Sequence, residues 1–204
     1  MLRERRCIPF SLLLILILSL LLCLSFAGSA AGQPEVPVLE TPLAVTTCGQ
    51  SPGALMIWVL SKQIKLPCDR DDLLTADKLK NKAEAGTPYK TLIITTGTSM
   101  KGMGAAGVDI DFEVERIKAI IEEAKKQNIF IIGAHIEGMA RRVDETDAAS
   151  IATVTPESNM LLIRDDSNED GYFTEAAEKQ AIPLITFKET LDLSGVFKQL
   201  FNLE

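Results

Sequence analysis

The chain has 204 residues, 21 Lys and Arg against 28 Asp and Glu, a net charge of −7, one His and four Cys. That length holds one ordinary domain plus a processed end. The acidic balance excludes a surface that wraps nucleic-acid phosphates, which needs clustered cations, and one His with four dispersed Cys excludes paired zinc-ligand spacings.

Residues 1–31 read as a signal peptide. Arg3, Arg5 and Arg6 precede an apolar run from Ser11 to Phe26, and Ala27-Gly28-Ser29-Ala30-Ala31 offers small residues for cleavage. The run of 16 residues is shorter than the roughly 20 that span a bilayer, which leaves membrane anchoring as the alternative. The expected location is therefore periplasmic or extracellular, with the membrane reached only through this segment. Without Arg3, Arg5, Arg6 and Glu4 the chain keeps 18 basic and 27 acidic side chains, a net charge of −9. Cys48 and Cys68 are the cysteines left after cleavage. An oxidising compartment favours bridging them, but a helix over residues 52–65 would hold its ends about 20 Å apart, while a bridge needs Cα atoms within about 7 Å. Two unbridged thiols are expected.

Residues 32–42, with Pro34, Pro37 and Pro42, read as an extended tether. Residues 43–204 read as one α/β domain. Strands are expected at Leu43–Thr47, Asp72–Ala76, Thr91–Thr96, Ile129–Ala134, Met160–Arg164 and Pro183–Phe187. Helices are expected at 52–65, 77–85, 112–127, 147–154, 172–180 and 191–201. Ile117, Ile120, Ile121 and Ala124 share one helical face, with Asp111 as the expected N-cap. The run Ile129–Ala134 is apolar on both faces, as a strand covered on two sides must be. Strands separated by helices, without hairpin signals, imply a doubly wound, mainly parallel sheet of five or six strands in the order 2-1-3-4-5, a sixth strand joining at the far edge. Ligands of such sheets sit beyond the carboxyl ends of the strands where the winding reverses, which directs attention to the turns after Thr47, Thr96, Ala134 and Arg164.

The first turn, Thr46-Thr47-Cys48-Gly49-Gln50-Ser51-Pro52-Gly53, has no acid, two glycines and several hydroxyls. Thr47, Gly49, Gln50 and Ser51 could hold an anion on free amides at a helix start, and a thiol there tends to be reactive. The plainer alternative is a tight turn with Ser51 as N-cap and Pro52 at the first helical position. The second turn, from Gly97 to Gly107, matches G-x-G-x-x-G at Gly102–Gly107. Asp109, Asp111, Glu113 and Glu115 directly after it would repel a pyrophosphate, and no Gly-Lys-Ser/Thr occurs. A glycine-rich lid is expected, with Thr98, Ser99 and Lys101 as contacts. The third turn brings His135, Arg141 and Arg142. Arginines there could clamp an anion or pair with Asp144, Glu145 or Asp147 at the surface. Cys48 and His135 together would form a nucleophile–base dyad, against a merely hydrogen-bonded histidine. In the fourth turn Asp166, Asn168 and Asp170 alternate before Gly171, as calcium ligands do, although Ala177 stands where the twelfth-position acid belongs.

The stretch Thr91–Glu189 resembles an uncharacterised family of exported bacterial α/β proteins, classed as a domain of unknown function. The likeness is carried by Thr95-Thr96-Gly97-Thr98-Ser99, Gly133-Ala134-His135-Ile136-Glu137-Gly138 and Asn168-Glu169-Asp170-Gly171-Tyr172-Phe173-Thr174. It covers most of the mature chain and implies export and a parallel-sheet domain of flavodoxin-like architecture, without an activity. The expected function is an extracytoplasmic module binding a small anionic ligand at the C-terminal edge of the sheet through Thr47, Gly49, Gln50, Ser51, Thr98, Ser99, His135 and Arg141. The alternatives are a thiol-dependent hydrolase or transferase using Cys48 and His135, and a partner-binding accessory of a membrane system. No cofactor is expected apart from calcium.

Overall fold

The computed structural model describes residues 34–203. The signal segment expected over residues 1–31 lies outside them. Six strands, β1 (Leu43–Cys48), β2 (Cys68–Arg70), β3 (Thr91–Thr96), β4 (Phe130–His135), β5 (Met160–Arg164) and β6 (Leu184–Phe187), alternate with seven helices. These are α1 (Gly53–Gln63), α2 (Ala76–Glu84), α3 (Met100–Ala106), α4 (Ile110–Lys126), α5 (Glu145–Val154), α6 (Tyr172–Gln180) and α7 (Leu193–Leu200). The strands form one sheet in the order β2-β1-β3-β4-β5-β6, every pair parallel.

Every residue of β1 and β3 is buried, because helices cover both faces and leave no side of these strands to water. On one face Val45, Ile93, Ile132 and Leu162 pack with Ile57 of α1 and Phe197 of α7. On the other, Ala44, Leu92, Ile94 and Ile131 meet the stripe Ile117, Ile120, Ile121 and Ala124 of α4. Farther along, Leu161 and Ile163 are covered by Ile151 of α5 and by Phe173 and Ala177 of α6.

Four expectations change. The strand expected at Asp72–Ala76 is a turn, and β2 precedes it. Asp71 Oδ1 accepts from the Leu73 amide and Thr75 Oγ1 caps α2 through the Lys78 amide, so local side-chain bonds take this backbone out of any ladder. The expected glycine-rich lid is instead α3, begun by Ser99 accepting from Gly102 N and ended by Gly107 in the left-handed region. Asp109, rather than Asp111, caps α4. The tether is anchored from Leu39: its amide donates to Leu200 O, and Thr91 Oγ1 donates to Glu40 O.

Cys48 and Cys68 are both free. Cys68 lies opposite Leu43, at the other end of β1 from Cys48, which at about 3.3 Å per residue keeps the two some 16 Å apart.

Candidate functional site

The winding reverses between β1 and β3, and the turns that follow these strands close on each other. Gln50 and Thr98 form an antiparallel bridge, and Ser99 N donates to Gly49 O at 2.8 Å. Two glycines make the approach possible. Gly49 has φ +112°, and a Cβ there would stand 2.6 Å from Thr98 Cγ2 and 2.8 Å from Gly97 O. A Cβ on Gly102 would overlap Gln50 O. These glycines serve backbone closure.

Of the groups that the sequence offered to an anion, the Gly49 amide and the Gln50 side chain already carry a carboxylate of the chain itself, and so do the Gly53 and Thr98 amides beside them. Gly49 N donates to Glu113 Oε2 at 2.8 Å, and Gln50 Nε2 reaches the same oxygen at 3.1 Å and Asp72 O at 2.9 Å. Gly53 N, at the start of α1, donates to Glu137 Oε1 at 3.0 Å. The Thr98 amide and hydroxyl both donate to Asp147 Oδ1 at 2.8 Å. Gly97 N donates to Ser150 Oγ at 3.0 Å, and that hydroxyl donates to Cys48 O at 2.6 Å. A carboxylate at a helix start or turn amide is stabilised by the same dipoles that would hold a ligand.

Glu113 needs a counter-charge, because an unpaired buried carboxylate is costly. Arg116 supplies it one helical turn along α4, through Nε to Oε1 at 3.0 Å and Nη2 to Oε2 at 2.7 Å. Its remaining N–H groups reach Thr47 O, Leu74 O and Thr46 Oγ1. All five guanidinium donors are thereby engaged. Arg141 likewise holds Glu137 through Nε at 3.2 Å and Thr98 O through Nη1 at 2.7 Å.

Glu113, Glu137 and Asp147, which fill these amides, are not among the site residues expected from the sequence. A signal existed for two of them. Glu113 and Arg116 continue the stripe of Ile117 and Ile120, and Asp147 and Ser150 continue that of Ile151 and Val154, so charged residues stood on faces that had to be buried.

The other candidates separate. Thr47 Oγ1 and Ser51 Oγ are buried without a partner, and Pro52, not Ser51, occupies the cap position of α1 with no side-chain cap. Ser99 Oγ is the cap of α3. Cys48, Thr96 and His135 lie on consecutive strands, Cys48 in register with Thr96, and Thr96 Oγ1 sits 2.9 Å from His135 Nδ1. Thr96 stands between the expected nucleophile and base, and no hydrogen bond joins them. Burial pushes the Cys48 thiol up to about 12, with Glu113 adding to the rise against Ser150 and Arg116. A thiolate fraction of roughly one in 10⁵ at neutral pH is too small to attack efficiently. His135 Nε2 lies 3.2 Å from Gly138 O, an acceptor only, so Nε2 carries the proton and Nδ1 accepts from Thr96. The ring packs on Phe173 at 5.6 Å. Burial lowers its pKa to about 4, with Arg142 contributing and Gly138 O, Asp147 and Asp166 opposing.

The arginines do not pair with Asp144, Glu145 or Asp147. Arg142 grips Asp170 with two bonds of 2.9 and 2.8 Å and holds that carboxyl below its usual range. Of the expected calcium ligands, Asp170 is thus engaged, Asn168 Oδ1 accepts from Phe173 N at 2.9 Å at the start of α6, and Asp166 pairs with Arg164 at 3.1 Å. Among the described residues no group of three or more His, Cys, Asp or Glu is arranged to hold a metal ion. Outside this inner network the edge is acidic and partly apolar. Asp109, Asp111, Asp144, Glu145, Glu169 and Asp192 are exposed there against Lys101 and Lys188, and so are Met100, Met139, Val143 and Leu191.

Residues 40–201 match the family model described as Domain of unknown function (DUF6305). The chain belongs to this family. No curated protein matches the DUF6305 chain significantly. Among solved structures it is similar to one described as an acylhydrolase from Bacteroides fragilis, at 11% identity and a TM-score of 0.35 over 80% of this chain and 76% of that one. It is also similar to the psychrotrophic esterase EstA from Pseudoalteromonas sp., at 9% identity and a TM-score of 0.32 over 78% and 94%. Among the described residues of the DUF6305 chain no helix is long and apolar enough to cross a membrane.

Proposed function

We propose that the DUF6305 domain is a non-catalytic docking module that engages a basic protein of an envelope system through the edge where its strands end. One observation carries this reading: Glu113, Glu137 and Asp147 occupy the Gly49, Gly53 and Thr98 amides. These three amides are therefore engaged from within, and the Thr47 and Ser51 hydroxyls, which have no partner among the described residues, are buried. The exposed carboxylates would also repel an approaching anion and attract a cationic surface. Exposed methionines adapt to irregular partners, and Val143, 73% exposed, adds apolar area beside Asp144 and Glu145. A buried thiol and a neutral buried imidazole separated by Thr96 give no support to the hydrolase reading.

The test is photo-crosslinking in envelope preparations from the full-length chain, with the reactive residue at Val143 or, as control, at Ala181 on the opposite edge. A discrete adduct with a basic protein from Val143 alone is expected. Its purified binding should weaken as salt rises and be lost in Glu145→Lys/Glu169→Lys. Absence of a Val143-specific adduct would overturn the proposal. So would a thermal shift with a carboxylate or phosphate that disappears in Thr98→Val.

A further inference from the structure

A cavity of about 720 Å³ opens between the β2–α2 turn and the α3–α4 corner. Leu73, Val108 and Phe112 form its apolar wall, and Thr75, Asp109 and Arg116 its polar part. Phe112 is 51% exposed, so one face of its ring is open to the cavity. Arg116 gives the cavity no donor, since Glu113, Thr47 O, Leu74 O and Thr46 Oγ1 take its N–H groups. Asp109 uses Oδ1 to cap α4 through Phe112 N at 2.8 Å. Its other oxygen carries no hydrogen bond, and Asp111 beside it is exposed and has no ion-pair partner among the described residues. The nearby cations are already matched, Lys78 to Asp71 at 2.5 Å and Arg70 to Asp72. The cavity thus presents Asp109, a carboxylate with no ion pair among the described residues, next to an open aromatic face and with exposed Asp111 in the first turn of α4 close by, features that attract an organic cation.

We infer that this cavity binds an ammonium group on an apolar stem, the stem lying against Leu73, Val108 and Phe112 and the nitrogen facing Asp109, with Asp111 adding its charge from the first turn of α4. The group could be a free amine or a lysine side chain of a docking protein; only the second source rests on the function proposed above. Backbone-amide NMR of the full-length chain tests it, with phenethylammonium as the free amine, phenylacetate as the same stem with opposite charge, and a capped Leu-Lys-Leu peptide as the lysine source. Phenethylammonium should shift residues 73–75 and 106–116 with millimolar affinity, and phenylacetate should not. Asp109→Asn/Asp111→Asn, which keeps a capping side chain at 109, should weaken binding at least tenfold. Phe112→Leu, at an exposed ring, should weaken it several-fold. Equal binding of both phenyl probes, no localised shifts, or an unchanged Kd in the double variant would overturn the inference. Binding of the amine without the peptide assigns the cavity to free amines. A Val143 adduct that forms while phenethylammonium leaves every amide unmoved would sink the cavity and spare the docking function.

Discussion

Between neutrality and mild acid, the imidazole of an unfolded chain takes up a proton near its ordinary value of 6.5, whereas His135 in the folded domain resists down to about 4. The depressed value means that the folded state prefers the neutral ring, so this contribution to stability is full above about pH 6.5 and is lost as pH falls towards 4. At about 1.4 kcal/mol per unit, the separation of roughly 2.5 units amounts to about 3 kcal/mol at its limit, of which about 2 kcal/mol is lost between about pH 7 and pH 5. The physical source is burial: Phe173 closes the space over the ring and Nδ1 accepts from Thr96, while Gly138 O, accepting from Nε2–H, works in the opposite direction. A proton on Nδ1 would force Thr96 Oγ1 to turn its own hydrogen to Ala134 O, 3.3 Å away. Urea unfolding of the native chain and of His135→Gln across this range gives the comparison, because carboxylate titrations common to both cancel in the difference. The variant should be the less stable protein near neutrality and lose its disadvantage by about 2 kcal/mol on reaching about pH 5. Parallel stability curves for the two proteins would refute the reasoning, as would an NMR titration of His135 near 6.5.

Three further outcomes follow from the same edge. Arg116→Met leaves Glu113 buried without its counter-charge and should cost about 3–5 kcal/mol in urea unfolding, whereas Glu113→Gln/Arg116→Met should cost less than the two single changes added together. Gly102→Ala forces a methyl onto Gln50 O and should destabilise by about 1–3 kcal/mol; Gly104→Ala, in the same helix with nothing within 4 Å, should instead stabilise by up to about 1 kcal/mol. Cys48, fully buried and held near 12, should react with iodoacetamide only as fast as the chain unfolds, so alkylation in native buffer at the rate of a model thiol would show that the burial is wrong.

Much of the architecture was legible because it rests on local periodicity. The run Ile129–Ala134, apolar on both faces, could only be an interior strand, and the stripe through Ile117, Ile120 and Ala124 could only be a helix laid on a sheet. The strand between α1 and α2 was misplaced because β2 is three residues long with one buried side chain, Cys68, too short for alternation to register. Helix α3 was hidden by its glycines, which lower helix propensity, although tertiary contact with Gln50 O requires only Gly102.

The turns illustrate where local reading stops. The sequence marks the Gly49 amide as an unsatisfied donor within its own segment, because a turn before a helix start leaves it so, and the structure adds the Gly53 and Thr98 amides. Which acceptor fills them depends on residues 49 to 84 positions away in the chain, a pairing that no spacing rule encodes. The sequence by itself thus determined a helix-covered parallel sheet, its winding order and the edge at which its turns gather, since these follow from short-range pattern and chain handedness. Only the tertiary structure decided that this edge is filled by Glu113, Glu137 and Asp147, that Thr96 parts Cys48 from His135, and that the outer surface of the edge is acidic. Long-range electrostatic matching is settled when the elements pack, after local preference has had its say.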